Sequence, residues 1–264
     1  MGTSSIFHGQ TKSNVLLPDD FDNETIENDD YNEQNQYDVT WATVKSNFSK
    51  YINSKSGRSL RGGGTINHVA KQYVRAAGGT KKLMSIAKSG VFSGRNLYNF
   101  YNSIVNTGIS NTLKSLHIQL QGKSANEIIS ILINAISPNS VTKEDIIARD
   151  ATQYALSHLY DYIERNDMEI ECLDNMPQSL IDISMCAYIE SYIWGVMLKD
   201  LASRLEIYEN DPKAAFEIEQ ELKGYIKGIV EVEFKKDDEI FQKNPTNIVD
   251  SLMKRCFLAM EGIV

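Results

Sequence analysis

Between Trp41 and Lys123 the chain has no carboxylate: thirteen Lys and Arg stand in 83 residues without a single Asp or Glu. Ordinary globular sequences mix both signs, so a segment of one sign marks a surface turned toward an anionic partner or neutralised elsewhere. The flanks lean the other way. Residues 1–40 hold nine acids and one base, Lys12, and residues 124–264 hold twenty-six acids and thirteen bases. The segment nets of −8, +13 and −13 make up the overall −8, with a sequence pI near 5.1 that argues against constitutive nucleic-acid binding.

Cysteine is equally sparse. Cys172, Cys186 and Cys256 are an odd set without CxxC spacing, which excludes a disulfide framework and reads as three thiols in a reducing cytosol. The four histidines, His8, His68, His117 and His158, are scattered, so no metal site is expected. No Ser–His–Asp order, HExxH, P-loop or Rossmann fingerprint occurs. The glycines of SGRSLRGGG (56–64) lack a following Lys-Ser/Thr and a preceding strand. No catalytic site and no cofactor of its own are expected. Acid pairs such as Glu144 with Asp145 and Asp237 with Asp238 are expected on solvated helix faces.

No basic start followed by an apolar core opens the sequence, so no secretory leader is expected. The most apolar run, Met185 to Leu198, is interrupted by Glu190 and flanked by Asp182 and Lys199. A membrane span needs roughly 20 nearly uninterrupted apolar residues. The run is expected to be a buried helix of a cytoplasmic protein with no membrane partner.

What is present is helical periodicity. Trp41, Val44, Phe48 and Ile52 share one helix face. Thr65 can cap a helix bearing Ile66, Val69, Tyr73 and Val74 that stops at Gly78 and Gly79. Thr80 can begin a short helix with Leu83 and Ile86 ending at Gly90, and another bearing Leu97, Phe100, Tyr101 and Ile104 ends near Gly108. Ser124 with Glu127 makes a capping box before Ile128–Ile136, and Pro138 closes that helix. Thr142 caps the next, Pro177 stands near the start of a long helix through Leu205, Asp211–Pro212 opens another, and Thr246 starts the last. The run IVEVEF (229–234) continues a helix rather than forming a strand.

The fold class is therefore all-α: an irregular multi-helix bundle preceded by a disordered acidic N-terminal tail. Residues 1–40 form the tail, 41–123 a basic short-helix module, and 124–264 an acidic long-helix bundle packed with it as one body. The tail, with its DDFDNETIENDDYNEQNQYD, lacks the apolar surface that would offset its ordering entropy. It contains one apolar patch, Val15, Leu16, Leu17 and Pro18, of the kind that docks on partners.

Two chemical features remain. Lys50, Arg58, Arg61, Lys71, Arg75, Lys81, Lys82, Lys88 and Arg95 could form a phosphate-binding surface, with Tyr51, Tyr73, Tyr98 and Tyr101 among them to stack on bases. In that alternative the protein is a nucleic-acid-binding adaptor autoinhibited by its acidic tail; the competing reading neutralises the bases with the chain's own acids or an acidic protein. The second feature is Gly2. Removal of Met1 would expose an unhindered α-amine of ordinary pKa about 7.7–8.0, on a 40-residue tether reaching roughly 30–40 Å. Myristoylation would want Ser or Thr at position 6, where Ile6 stands.

The opening MGTSS, the LLP at Leu16–Pro18, the block KSNFSKYINSKSGRSLRGGGTINHVAKQYVRAAGGTKKL and the later EDIIARDATQYAL resemble the QatB family of the bacterial Qat anti-phage defence system. The tail here is unusually acidic and Asn-rich, and the basic block is Lys-rich. The resemblance implies a non-enzymatic adaptor subunit whose partners are a QueC-like enzyme (QatC-type), an ATPase and a TatD-like nuclease. It further implies that the QueC-like partner joins a deazaguanine to the N-terminal glycine. Carried onto this sequence, Gly2 is the acceptor, Thr3, Ser4 and Ser5 are the stretch held in the partner's cleft, and Leu16, Leu17 and Pro18 are the docking patch.

Overall fold

The computed structural model describes residues 39–55, 65–119, 122–137, 141–205, 212–236 and 247–263. Of these, 86% are helical and none is in a strand, so the fold is all-α. The helices are α1 (Trp41–Lys55), α2 (Ile66–Ala76), α3 (Gly79–Ile86), α4 (Lys88–Thr107), α5 (Ile109–Ser115), α6 (Ala125–Ile136), α7 (Lys143–Arg165), α8 (Gln178–Leu205), α9 (Pro212–Lys235) and α10 (Ile248–Glu261), with a 3-10 turn at Ile170–Asn175.

Local chemistry sets several boundaries. The hydroxyl of Thr65 caps α2 by accepting from the His68 N–H at 3.3 Å. Ser124 and Glu127 form the expected capping box of α6, and Thr142 forms a second one with Asp145 at the head of α7. Gly78 and Gly79 separate α2 from α3 at φ of +88° and +81°, where a side chain would be strained. The IVEVEF run lies within α9.

Gly90 does not end a helix. It sits in the first turn of α4, and α3 stops earlier, at Ile86. The reason is tertiary: a Cβ on Gly90 would stand 2.3 Å from the Tyr192 ring, and one on Gly94 would stand 2.7 Å from both Tyr188 and Val249. These glycines let α4 lie close against α8. Asp211 and Thr246, proposed as helix starts, lie outside the described residues, as do Asp237 and Asp238; Asn247 is the N-cap of α10.

The frame is built on α8. Gly90, Gly94 and Tyr101 of α4 meet Tyr192, Tyr188 and Ser184 in reverse order, so α4 runs antiparallel to α8. Ile147 of α7 touches Gly195, and the Ser184 hydroxyl donates to the Ala155 carbonyl at 2.8 Å, so α7 is antiparallel to α8 too. The heads of α4 and α7 therefore lie side by side. α9 covers another side of α8, and α10 packs against α2, α3, α4 and α9. Gln178–Ser203 of α8 is long and apolar enough to cross a membrane by length and composition, but more than half of its 18-residue apolar window is buried inside this body.

Candidate partner-binding surfaces

Seven of the nine bases singled out in the sequence belong to described helices, among them exposed Lys50 of α1 and Lys88 of α4. Lys71 and Arg75 are half-buried one turn apart on α2, Lys81 and Lys82 are exposed on α3, and Arg95 is half-buried on α4. All three helices back onto α10, and none carries an acid. The bases of α2, α3 and α4 make no ion pair among the described residues, and the Nε atoms of Arg75 and Arg95 are buried without a hydrogen-bond partner. Arg58 and Arg61 lie outside the described residues.

The tyrosines expected to stack on bases are elsewhere. Tyr51, Tyr73, Tyr98 and Tyr101 are all core residues, none more than 3% exposed. The Tyr73 hydroxyl donates to Asp200 Oδ2 at 3.0 Å, and that of Tyr51 donates to Glu221. Burial and these neighbouring carboxylates push both phenols up. None of these four is therefore available as an exposed stacking platform for single-stranded nucleic acid.

The acids are more committed than their sequence positions suggest. Glu144 and Asp145 are not simply solvated. Glu144 takes the Lys199 ammonium at 2.8 Å, which holds its carboxyl below the usual range. Asp145 accepts from the Ser89 hydroxyl of α4 at 2.5 Å and from the Thr142 N–H at 2.9 Å. Those donors, Ser89 first, bring its pKa down to about 2. Glu261, 1% exposed, accepts from both the N–H and the hydroxyl of Thr80, at 3.2 and 2.7 Å, and so closes the N-terminal end of α3 onto α10. Glu233 is buried beside Lys236 and Arg255.

A second surface is a groove of about 460 Å³ between α7, α8 and α9. Tyr154 and His158, in edge contact at 5.5 Å, form one wall, Ile183 and Cys186 the floor, and Val230 and Phe234 the other wall. Burial raises the carboxyls of Asp182 and Glu190 at its edge and pushes the Cys186 thiol up to about 12, so this thiol is protonated at neutral pH. No group of three His, Cys, Asp or Glu that could hold a metal exists among the described residues.

Sequence reasoning missed this groove and the α4–α7 head contact. The spacing Thr142-x-x-Asp145 and the paired Gly90-x-x-x-Gly94 and Tyr188-x-x-x-Tyr192 were the available signals. Gly2, Thr3, Ser4, Ser5, Leu16, Leu17 and Pro18 lie outside the described residues. What the structure does place is their point of attachment: Val39 packs against the core, and the Trp41 ring meets Tyr73 edge-on at 5.5 Å.

No curated protein and no solved structure matches the chain. A family model described as Qat anti-phage system associated protein QatB matches residues 78–260, from the N-cap of α3 to the last turn of α10 and well over half of the sequence. The chain belongs to the QatB family, proteins associated with the Qat anti-phage system.

Proposed function

We propose that this chain is a non-enzymatic subunit of a Qat complex, whose helical body holds a QueC-like enzyme while its N-terminal segment delivers Gly2 into that enzyme's cleft. The partner activates a carboxy-deazaguanine with ATP as an acyl adenylate. The Gly2 amine, exposed after Met1 is removed, attacks the acyl carbon. A C–N bond forms, the C–O bond to the adenylate breaks, AMP leaves, and the amine proton passes to solvent. The ordinary pKa of an α-amine leaves a sizeable neutral fraction for this attack near neutral pH.

Membership in the QatB family carries this reading, together with the small residues at 2–5 and the fixed mount at Val39 and Trp41. A reactive terminus needs a rigid base and a lead long enough to enter a partner; 40 residues give roughly 30–40 Å. Leu16, Leu17 and Pro18 then dock beside the cleft, and the ATPase and TatD-like nuclease complete the system.

Intact mass spectrometry after co-expression with the QueC-like enzyme tests the proposal. The expected result is a deazaguanine amide mass on wild type, mapped to Gly2, and none on Gly2→Pro, whose N-terminus is a hindered secondary amine. No added mass on wild type, or the same mass on Gly2→Pro, would sink it.

A further inference from the structure

We propose that the groove between α7, α8 and α9 is the seat of an amphipathic helix supplied by another component of the Qat system, with a Lys or Arg set among its apolar residues. The inference rests on membership in the QatB family and is independent of the chemistry at Gly2.

Shape is the first support. Ser184, Tyr188 and Tyr192 turn one side of α8 toward α4. Asp182, Cys186 and Glu190 stand two positions before these, about 200° around the helix at 3.6 residues per turn, and so on the opposite side. With Ile183 and Ala187 they form a stripe of i, i+1, i+4, i+5, i+8 spacing that floors the groove over about 12 Å. α7 walls it on one side and α9 on the other. α9 runs antiparallel to α8, with Lys223 over the Trp194 ring at 5.4 Å and Lys227 beside Glu190. Because α7 is antiparallel to α8 as well, the two walls run parallel and frame an open channel about two helical turns long. A channel of this form takes the apolar face of a helix.

Apolar exposure is the second. α8 is the central helix of the frame, yet Ile183 is 54% exposed, the one exposed large apolar side chain of α8 among the described residues. Tyr154 of α7, 45% exposed, borders the same groove, as does half-buried Phe234 of α9.

Charge selects the occupant. Asp182, Glu190 and Glu231 all act on the Cys186 thiol in the floor, so three carboxylates converge on one place. None of the three makes an ion pair among the described residues. Asp182, which accepts from the Gln178 amide at 2.9 Å, and Glu190 are half-buried. Lys227 and Lys235 are exposed on the α9 rim, and His158 is half-buried on the α7 wall. A cation on an incoming helix would reach carboxylates already stripped of part of their water, where a charge pair is stronger than on an open surface. A second copy of this chain, packed groove to groove, would bring the same three carboxylates toward them, and nucleic-acid phosphates would be repelled.

Co-purification tests the inference, with the full chain tagged and co-expressed with the QueC-like enzyme, the ATPase and the TatD-like nuclease. Wild type should retain one of the three. Ile183→Arg should weaken that association roughly tenfold or more, while Val105→Arg, similarly exposed on α4 and outside the groove, should leave it unchanged. Glu190→Gln/Glu231→Gln, which keeps shape and removes charge, should weaken it roughly fivefold. Carbodiimide cross-links from Glu190 and Glu231 should fall on a Lys in one amphipathic helix of the retained component, and replacing that Lys by Glu should restore binding to Glu190→Lys/Glu231→Lys. Full retention by Ile183→Arg, a wild type that retains none of the three, or loss of a dimer of this chain instead of a partner would overturn it. The deazaguanine mass at Gly2 is read on the same samples: its absence from wild type counts against the Gly2 reading alone, and full retention by Ile183→Arg against the groove alone.

Discussion

Replacing Gly90 by alanine should destabilise the protein, although the same change at most helical glycines helps. Alanine gains about 0.8–1 kcal/mol over glycine in a helix interior. At Gly90 the new methyl would lie 2.3, 2.4 and 2.7 Å from three atoms of the Tyr192 ring, well inside van der Waals contact. The ring cannot swing away, because it is buried and stacked beside Tyr188 at 6.5 Å between centroids. Overpacking of this kind costs about 1–3 kcal/mol. Separating α4 from α8 also strains the hydrogen bond from the Tyr188 hydroxyl to the Gly90 carbonyl, 2.6 Å long and worth about 1 kcal/mol. The net expectation is a loss of about 1–3 kcal/mol. Gly228 in α9 is the control: a Cβ there meets nothing within 4 Å, so Gly228→Ala should gain about 0.5–1 kcal/mol. Urea unfolding of both variants reads the difference, and Gly90→Ala combined with Tyr192→Ala should cost less than the two single changes summed. A Gly90→Ala protein as stable as Gly228→Ala would refute the close α4–α8 approach.

The pKa of Asp145 is depressed from 3.8 to about 2 in the folded protein, so its stabilising contribution is complete above about pH 4 and is lost as pH falls toward 2. The gap in urea midpoint between wild type and Asp145→Ala should accordingly close across that window; a gap that stays constant would show that Ser89 and Thr142 do not hold the charged form. Native alkylation near pH 8, followed by peptide mapping, should label half-buried Cys172 first, Cys186 slowly and buried Cys256 only after unfolding; early labelling of Cys256 would contradict its placement in α10. Tyr73→Phe removes the donor to Asp200 and should cost about 1–2 kcal/mol. Hydrogen exchange should then rise in α1 and α2 before α7 and α8, and a uniform rise would show that this bond does not hold the N-terminal helices to the frame.

Features written by neighbours in sequence were legible. The capping box at Ser124 and Glu127, the Thr65 cap and the break at Gly78–Gly79 each depend on residues a few positions apart. The missed features depend on distant partners. Gly90 reads as a stop unless Tyr192 is known to lie over it. The spacing Leu97, Tyr98, Tyr101 and Ile104 is the same for a core stripe as for an aromatic platform, and burial decided for the core. Glu144 and Asp145 look solvated until Lys199 and Ser89, 55 and 56 positions away, come to meet them. The basic segment was readable because the lack of carboxylates is a property of the segment itself.

The segregation of charge along the chain invites the idea that its halves are held together by ion pairs, yet the contacts among the described side chains are of another kind. Among the described side chains, no ion pair joins a base of 41–123 to an acid of 124–264; those present lie within the acidic half. Where the halves meet, carboxylates accept from hydroxyls: Glu221 from Tyr51, Asp200 from Tyr73, Asp145 from Ser89 and Glu261 from Thr80. Burying an ammonium with a carboxylate desolvates two charges, whereas a hydroxyl donor desolvates only one. Joining the halves through hydroxyls leaves the lysines of α3 exposed and the half-buried Lys71, Arg75 and Arg95 without an ion pair among the described residues. The charge segregation visible in the sequence is thus not spent, among the described side chains, on holding the two halves of the body together.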